Sequence, residues 1–249
     1  MTVQPGRAPV YPPLDELKPV APDLWIVDSG PHQAMGLAMP VRMTVVRLSS
    51  GDLWLHSPTR YDEGLRQSLD QLGRIRHLVA PNVAHWAYLK EWQTQCAGAV
   101  TWAAPGLRRR RPVRKASVVL DRDLTPDPPP EWSRDIDQVI VEGGFGVSEA
   151  AFFHMPSRTL ILTDLVENFE PEKLSAPARI ILRLLGTTAP DGRAPVYYRF
   201  VITRRRRSAR AAARRMLDWA PERIIFAHGR WFTEQGTARL KRSLRWLLE

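Results

Sequence analysis

Cysteine is nearly absent, with Cys96 the single thiol in 249 residues. That excludes an internal disulfide and any cysteine-rich zinc ribbon, and leaves Cys96 to be read as a buried, inert side chain. Long hydrophobic runs are missing as well. The longest are strand-sized, short of the roughly 18 residues a membrane-spanning helix needs, so no transmembrane segment is expected. Positions 1–22 hold six prolines and no apolar stretch of leader type, so they do not read as a secretory signal and a cytoplasmic protein is expected. There is no Gly-x-Ser-x-Gly elbow, Walker loop or Rossmann glycine fingerprint, the signatures of elbow-type serine hydrolases, P-loop nucleoside triphosphatases and dinucleotide-binding enzymes. Acidic residues are in deficit, 26 against 36 lysines and arginines, a formal net charge of +10. Such a balance favours polyanions through the long-range field, or simply reflects an arginine-rich surface.

What is present is a folded chain. A hydrophobic fraction of 44% with nine tryptophans excludes wholesale disorder. After the proline-rich lead-in over 1–22, strand signals fall at Leu24–Val27, Arg42–Leu48 and Asp52–His56, the last two joined by a turn at Ser49–Gly51. Leu65, Leu69 and Leu72 share a helical spacing that Gly73 ends. A strand at Ile75–Ala80, a helix from Ala84 to Trp92 and a strand at Ala99–Ala103 follow, then a loop-rich insertion near 105–135. Strands resume at Gln138–Val141, Glu149–His154 and Arg158–Thr163, with a hairpin turn at Met155–Ser157. Helices are expected over 171–186 and 204–219, then a strand at Arg223–Ala227 and a closing helix from about Thr233 to Leu248. This order fits a mixed sheet stack with outer helices better than a doubly wound parallel sheet.

Three polar residues end or directly follow these apolar strands: His85, Asp164 and His228. Carboxyl ends of neighbouring strands converge on ligand crevices, and two imidazoles with a carboxylate suit a first-row metal ion. The segments Arg42–Leu48, Leu53–Pro58, Val79–His85, Phe152–Leu165 and Phe226–Gly229, in this order, resemble the metallo-β-lactamase fold superfamily over residues 23–249. More specifically the chain looks like a DUF-type branch with degenerate metal motifs. The resemblance implies one domain of α/β class (α+β in some schemes), a four-layer αββα sandwich with metal bound at the edge of the sheets.

The superfamily signature His-x-His-x-Asp-His falls on Ala80–His85, where only His85 is kept. No histidine stands near Gly143-Gly144, where the next ligand is expected, whereas Asp164 matches the bridging aspartate and His228 the final histidine. The resemblance therefore implies one metal position at most, Zn or another first-row ion, with Ala84 in place of the motif aspartate. The competing reading is a metal-free trio whose members hydrogen-bond to one another.

Other candidates carry two readings each. Asn82 stands at a vanished ligand position and reads as a cap for the helix that follows. His56 is either an orienting partner behind the ligands or a loop histidine. Glu142 and Glu149 flank the Gly143–Gly146 turn as acid/base candidates or as turn neighbours, and Asn168 is placed at the pocket entrance. His154, His32 and His77 are expected to be structural. Arg204–Arg215 reads as a helix with Ala209, Ala213 and Met216 buried and arginines elsewhere, a phosphate grip or a solvated face. Two functions follow. One is a hydrolase acting on a small-molecule ester, thioester or phosphoester. The other is an inactive member that binds nucleic acid or another anionic partner through its arginines.

Overall fold

The computed structural model describes residues 9–34 and 36–249. Strand side chains alternate between two buried environments, the period-2 rule that layers this protein. The first sheet runs β1 (Lys18–Ala21), β2 (Leu24–Ala34), β3 (Leu37–Arg47), β4 (Asp52–His56), β5 (Arg74–Ala80), β6 (Val100–Ala103) and β7 (Arg122–Asp123), in spatial order 1-2-3-4-5-6-7. It is antiparallel from β1 to β4 and parallel from β4 to β7. The second sheet holds β8 (Ile136–Glu142), β9 (Ser148–His154), β10 (Thr159–Ile161) and β11 (Arg223–Ile225), with β10 and β11 parallel.

Val46 and Trp54 of the first sheet meet Ala150, Phe152 and Ile225 of the second in one apolar layer. Their chain neighbours point the other way. Val45, Leu53 and Leu55 pack with Leu65 and Leu69 of helix α1 (Glu63–Leu72) and with Trp92 of α2 (Leu89–Gln95). A short α3 (Arg111–Lys115) and a far α4 (Ala176–Leu185) come next in the chain. Ala151 and Ile224 face α5 (Val196–Thr203), α6 (Arg206–Asp218), α7 (Gly236–Ser243) and α8 (Arg245–Leu248). The layers are therefore helix, sheet, sheet, helix. Because both faces of each sheet are covered, the strands read as nearly continuous apolar runs. Among the described residues no helix is long and apolar enough to cross a membrane.

Several boundaries differ from expectation for local reasons. Lys18–Ala21, within the proline-rich lead-in, forms the edge strand β1 against β2; residues 1–8 of that lead-in lie outside the described part. β2 runs on to Ala34 and β3 starts already at Leu37, longer than the expected Leu24–Val27 and Arg42–Leu48, with a register shift between Ser29 and His32. The helix expected from Ala84 begins only at Leu89, because the backbone after Asn82 is tied to that side chain in a turn. Helix 171–186 divides into a 3-10 turn at Pro171–Lys173 and α4, and α5 has no counterpart in the sequence reading.

A buried guanidinium ties the first sheet to the turn after β11, and a buried imidazole packs within the inter-sheet layer. The Arg42 guanidinium of β3 donates to the carbonyls of Phe226 and Gly229 at 2.8 and 2.9 Å and lies 2.6 Å from Asp28 of β2. Asp28 also receives Lys18 of β1 at 2.8 Å. His77 sits among tryptophans in the inter-sheet layer, its Nδ1 accepting from the Trp102 indole at 3.2 Å and its ring edge-on to Trp132 at 5.3 Å.

Arg42→Met leaves Asp28 buried with one partner fewer, so chemical denaturation should show a loss of roughly 3–5 kcal/mol. Burial lowers the His77 imidazole to about 4, so the folded ring stays neutral while the unfolded one takes up a proton near pH 6.5. The His77 contribution is fully present above that pH and is lost as pH falls towards about 4. His77→Gln, which keeps an acceptor without titrating, should give a shallower acid-unfolding curve over that window.

Candidate metal centre and its cavity

Three loops carry the trio to one point. His85 lies in the turn after β5, Asp164 just beyond β10, and His228 just beyond β11. The atoms that meet are His85 Nε2, Asp164 Oδ1 and His228 Nε2, separated by 3.1, 3.2 and 3.3 Å. Ligands bound at about 2.0 Å around a tetrahedral ion stand roughly 3.3 Å apart, so the triangle has the right size for three of its corners.

The remaining polar atoms of each residue are spoken for, which aims those three inward. His228 Nδ1 lies 2.7 Å from the Pro40 carbonyl of β3, and a carbonyl only accepts, so Nδ1 carries the hydrogen and the neutral ring presents a lone pair at Nε2. His85 Nδ1 is paired with the Ser57 hydroxyl at 2.7 Å. Ser57 follows β4 with φ of 53°, a left-handed conformation unusual for a residue with a side chain. Asp164 Oδ2 accepts from the Asn82 amide at 2.7 Å, leaving Oδ1 for the centre. Two nitrogens and a carboxylate oxygen, each oriented from behind, form a donor set that fits Zn or a similar ion.

Charge follows geometry. Burial opposes the Asp164 charge, yet the two imidazoles hold its carboxyl well below the usual carboxylate range. Burial likewise opposes protonation of His228, but the hydrogen bond and charge of Asp164 raise it to about 9. Without an ion the trio is thus a protonated imidazole on a carboxylate, and metal must displace that proton.

Asn82 does not cap a helix as expected, since α2 starts only at Leu89; it holds a turn. Its Oδ1 accepts the N–H groups of Ala84 and His85, both at 2.9 Å, while its amide holds Asp164. Glu149 of β9 is fully buried beneath the centre and accepts N–H bonds from Thr163, Asp164 and Leu165 at 2.8, 2.9 and 3.3 Å. It steadies the Asp164 loop and is absent from the cavity wall. Burial and the Asp164 charge push its carboxyl up to about 7, against the pull of those donors. His56 is buried behind the centre, stacked on Trp54 and 3.4 Å from the Thr163 hydroxyl, with burial lowering it to about 3.

Two expected pocket residues stand elsewhere. Glu142 is exposed and accepts from Ser208. Asn168 is a buried staple that takes the Gly192 N–H and donates to the Arg230 carbonyl, leaving no group free for the entrance.

The trio heads a cavity of about 390 Å³ whose walls include Met39, Val41, Pro58, Trp86 and Tyr88, with Arg110 at its rim. His32, expected to be structural only, lines it too and bonds the Tyr88 hydroxyl at 2.8 Å. The main residue missed in sequence is Glu167, which is 4% exposed and lines the cavity with Asp164, His228 and Ala84. Burial raises its carboxyl to about 8, so it carries a proton at neutral pH. It follows β10 in a segment that is not helical, so its spacing from Asp164 carried no signal.

The described fold is that of solved metallo-β-lactamases. The enzyme FIM-1 from Pseudomonas aeruginosa, in its mono-zinc form, matches with a TM-score of 0.63 at 16% identity, covering 98% of this chain and 97% of that one. Metallo-β-lactamases from Pontibacter korlensis (TM-score 0.60, 14% identity, 93% of this chain, 98% of that one) and Hirschia baltica (0.61, 11%, 93% and 97%) match similarly. At such identities the likeness is one of fold. No curated protein sequence matches the chain. A family model described as a domain of unknown function, DUF4336, matches residues 23–180. That span is more than half of the sequence, and the chain belongs to the DUF4336 family, built on the metallo-β-lactamase fold.

Proposed function

We propose that the protein is a hydrolase with a single-ion site at His85, Asp164 and His228, acting on a small-molecule ester, thioester or phosphoester. The observation that carries this reading is the convergence of three oriented ligand atoms at the head of a largely apolar cavity. A Zn or other first-row ion held there would supply Lewis acidity to the reacting carbonyl or phosphoryl oxygen.

The chain's own residues supply the rest. Met39, Val41, Pro58 and Trp86 offer walls for an apolar substituent and exclude bulk water. Arg110 at the rim offers a fixed positive charge to an anionic one. Glu167 is the proton carrier that this cavity offers in the absence of a carboxylate at Ala84. Its protonated carboxyl donates to the departing oxygen or sulfur as the bond to the acyl or phosphoryl centre breaks; water supplies the entering hydroxyl, and the proton that water gives up returns Glu167 to its acid form. The competing reading, an inactive member that binds an anionic partner, draws on Ala84 and the exposed arginines; metal content separates the two.

Protein purified without a metal-affinity step should contain about one equivalent of a first-row metal, lost in Asp164→Ala and His228→Ala. Less than about a tenth of an equivalent, not restored by Zn²⁺, Mn²⁺ or Fe²⁺, would sink the single-ion site. Once a substrate is found among aryl esters, thioesters and phosphodiesters, Glu167→Gln should lower kcat about 10²–10⁴-fold with KM little changed. Because the acid works only while protonated, the wild-type rate should fall once pH passes the Glu167 pKa in the loaded enzyme, and the variant should lack that limb. An unchanged profile would remove Glu167 from the reaction.

A further inference from the structure

Helices α4 and α5 each leave one apolar face uncovered, although α5 buries Tyr198 and Ile202 on its other side. In α4, Ile180, Ile181 and Leu184 are 61%, 43% and 78% exposed, and only Leu182 is buried. In α5, Val196, Tyr197 and Phe200 repeat the same i, i+1, i+4 spacing at 49%, 46% and 54% exposure. That spacing puts three apolar side chains on one face of each helix. The loop that joins them folds back on α4 through Arg193, whose guanidinium donates to the Gly186 carbonyl that ends α4.

A third apolar element stands beside them. Phe145 projects at 77% exposure from the Gly143–Gly146 turn, with φ of 58°, a costly conformation for an aromatic residue. The turn packs on the end of α5 through the bond from Gly144 N–H to the Val201 carbonyl at 2.8 Å. On its other side it presses against Gly106, where a Cβ would come within 2.0 Å of the Gly146 carbonyl. Gly106 opens the loop that carries the exposed Arg109, Arg110 and Arg111.

Cations surround this apolar surface. Residues 171–210 hold ten lysines and arginines against two acids, most of the chain's excess positive charge. Arg179 and Arg183 lie on α4, and Arg204–Arg207 are all exposed beyond α5, Arg204 stacking on Phe200 at 4.3 Å. The face also borders the cavity. Tyr197 and Arg110 belong to both, and α4 packs through Leu182 on the cavity residue Met39.

We propose that this face seats the protein on an anionic lipid bilayer, with the cavity mouth turned towards the lipid. Apolar side chains among arginines match acyl chains beneath anionic headgroups. A nucleic acid would use the arginines and leave Phe145, Leu184 and Phe200 in water. A second copy would set one strongly positive face against another. The inference concerns the surface and holds whether or not the centre hydrolyses anything.

The test is flotation with vesicles of phosphatidylcholine alone or mixed with phosphatidylglycerol. The protein should float with the mixed vesicles only, and added salt should weaken binding. Phe145→Ser, Leu184→Gln and Phe200→Gln together should lower the partition coefficient about tenfold or more, with thermal stability unchanged because all three are exposed. Asp164→Ala should bind like wild type, which separates this surface from any failure of the hydrolase reading. Because Cys96 is buried, a Phe145→Cys variant can carry one environment-sensitive fluorophore, whose emission should shift blue on mixed vesicles. No flotation, an unshifted probe, equal binding by the triple variant, or dimerisation through this face in light scattering would each overturn the proposal. So would retention on duplex DNA that survives while vesicle binding is absent.

Discussion

Everything at the centre depends on how β3 grips the turn after β11. Arg42 takes the carbonyls on either side of His228, those of Phe226 and Gly229, and the Pro40 carbonyl of the same strand takes His228 Nδ1. Strand and turn belong to different sheets and stand 184 to 188 residues apart in sequence. A buried guanidinium is costly unless paired, and here Asp28 and two carbonyls meet it. The same bonds that close the sandwich therefore set the tautomer and direction of His228. Folding and site assembly are one event at this position.

The opposite side of the centre is organised by carboxylates and an amide. Glu149 gathers three successive N–H groups of the Asp164 loop, and Asn82 joins Asp164 to the backbone that presents His85. Asn82, at one of the positions where the superfamily resemblance implies a ligand to a first metal, connects two members of the trio instead. The carboxylate absent at Ala84 has no replacement in that segment, and Glu167 approaches the same cavity from the loop after β10.

His85, Asp164 and His228 were legible because each ends or follows an apolar strand, and strand ends converge in layered folds. His77 was rightly left to packing, and its tryptophan neighbours are in the inter-sheet layer. Glu167, Ser57 and Tyr197 were not legible. Nothing local marks a glutamate after a strand as cavity-facing, a serine as left-handed, or one tyrosine of the Tyr197-Tyr198 pair as exposed while its neighbour is buried. The long β2–β3 ribbon reaches beyond the expected strands at Leu24–Val27 and Arg42–Leu48, with a register shift between Ser29 and His32.

The sequence by itself determined a mixed stack of sheets with outer helices, most of their elements in order, the lone thiol and the positive charge. These rest on periodicity and composition, which are local or additive properties. Only the tertiary structure decided which atoms of the trio meet, that Glu149 lies beneath the centre while Glu167 faces the cavity, and that α4 and α5 turn apolar faces outward. Those outcomes depend on what packs against each side chain from distant parts of the chain. A run such as Ile180-Ile181 reads the same whether it is covered or bare, and the difference lies in the absence of a partner across it.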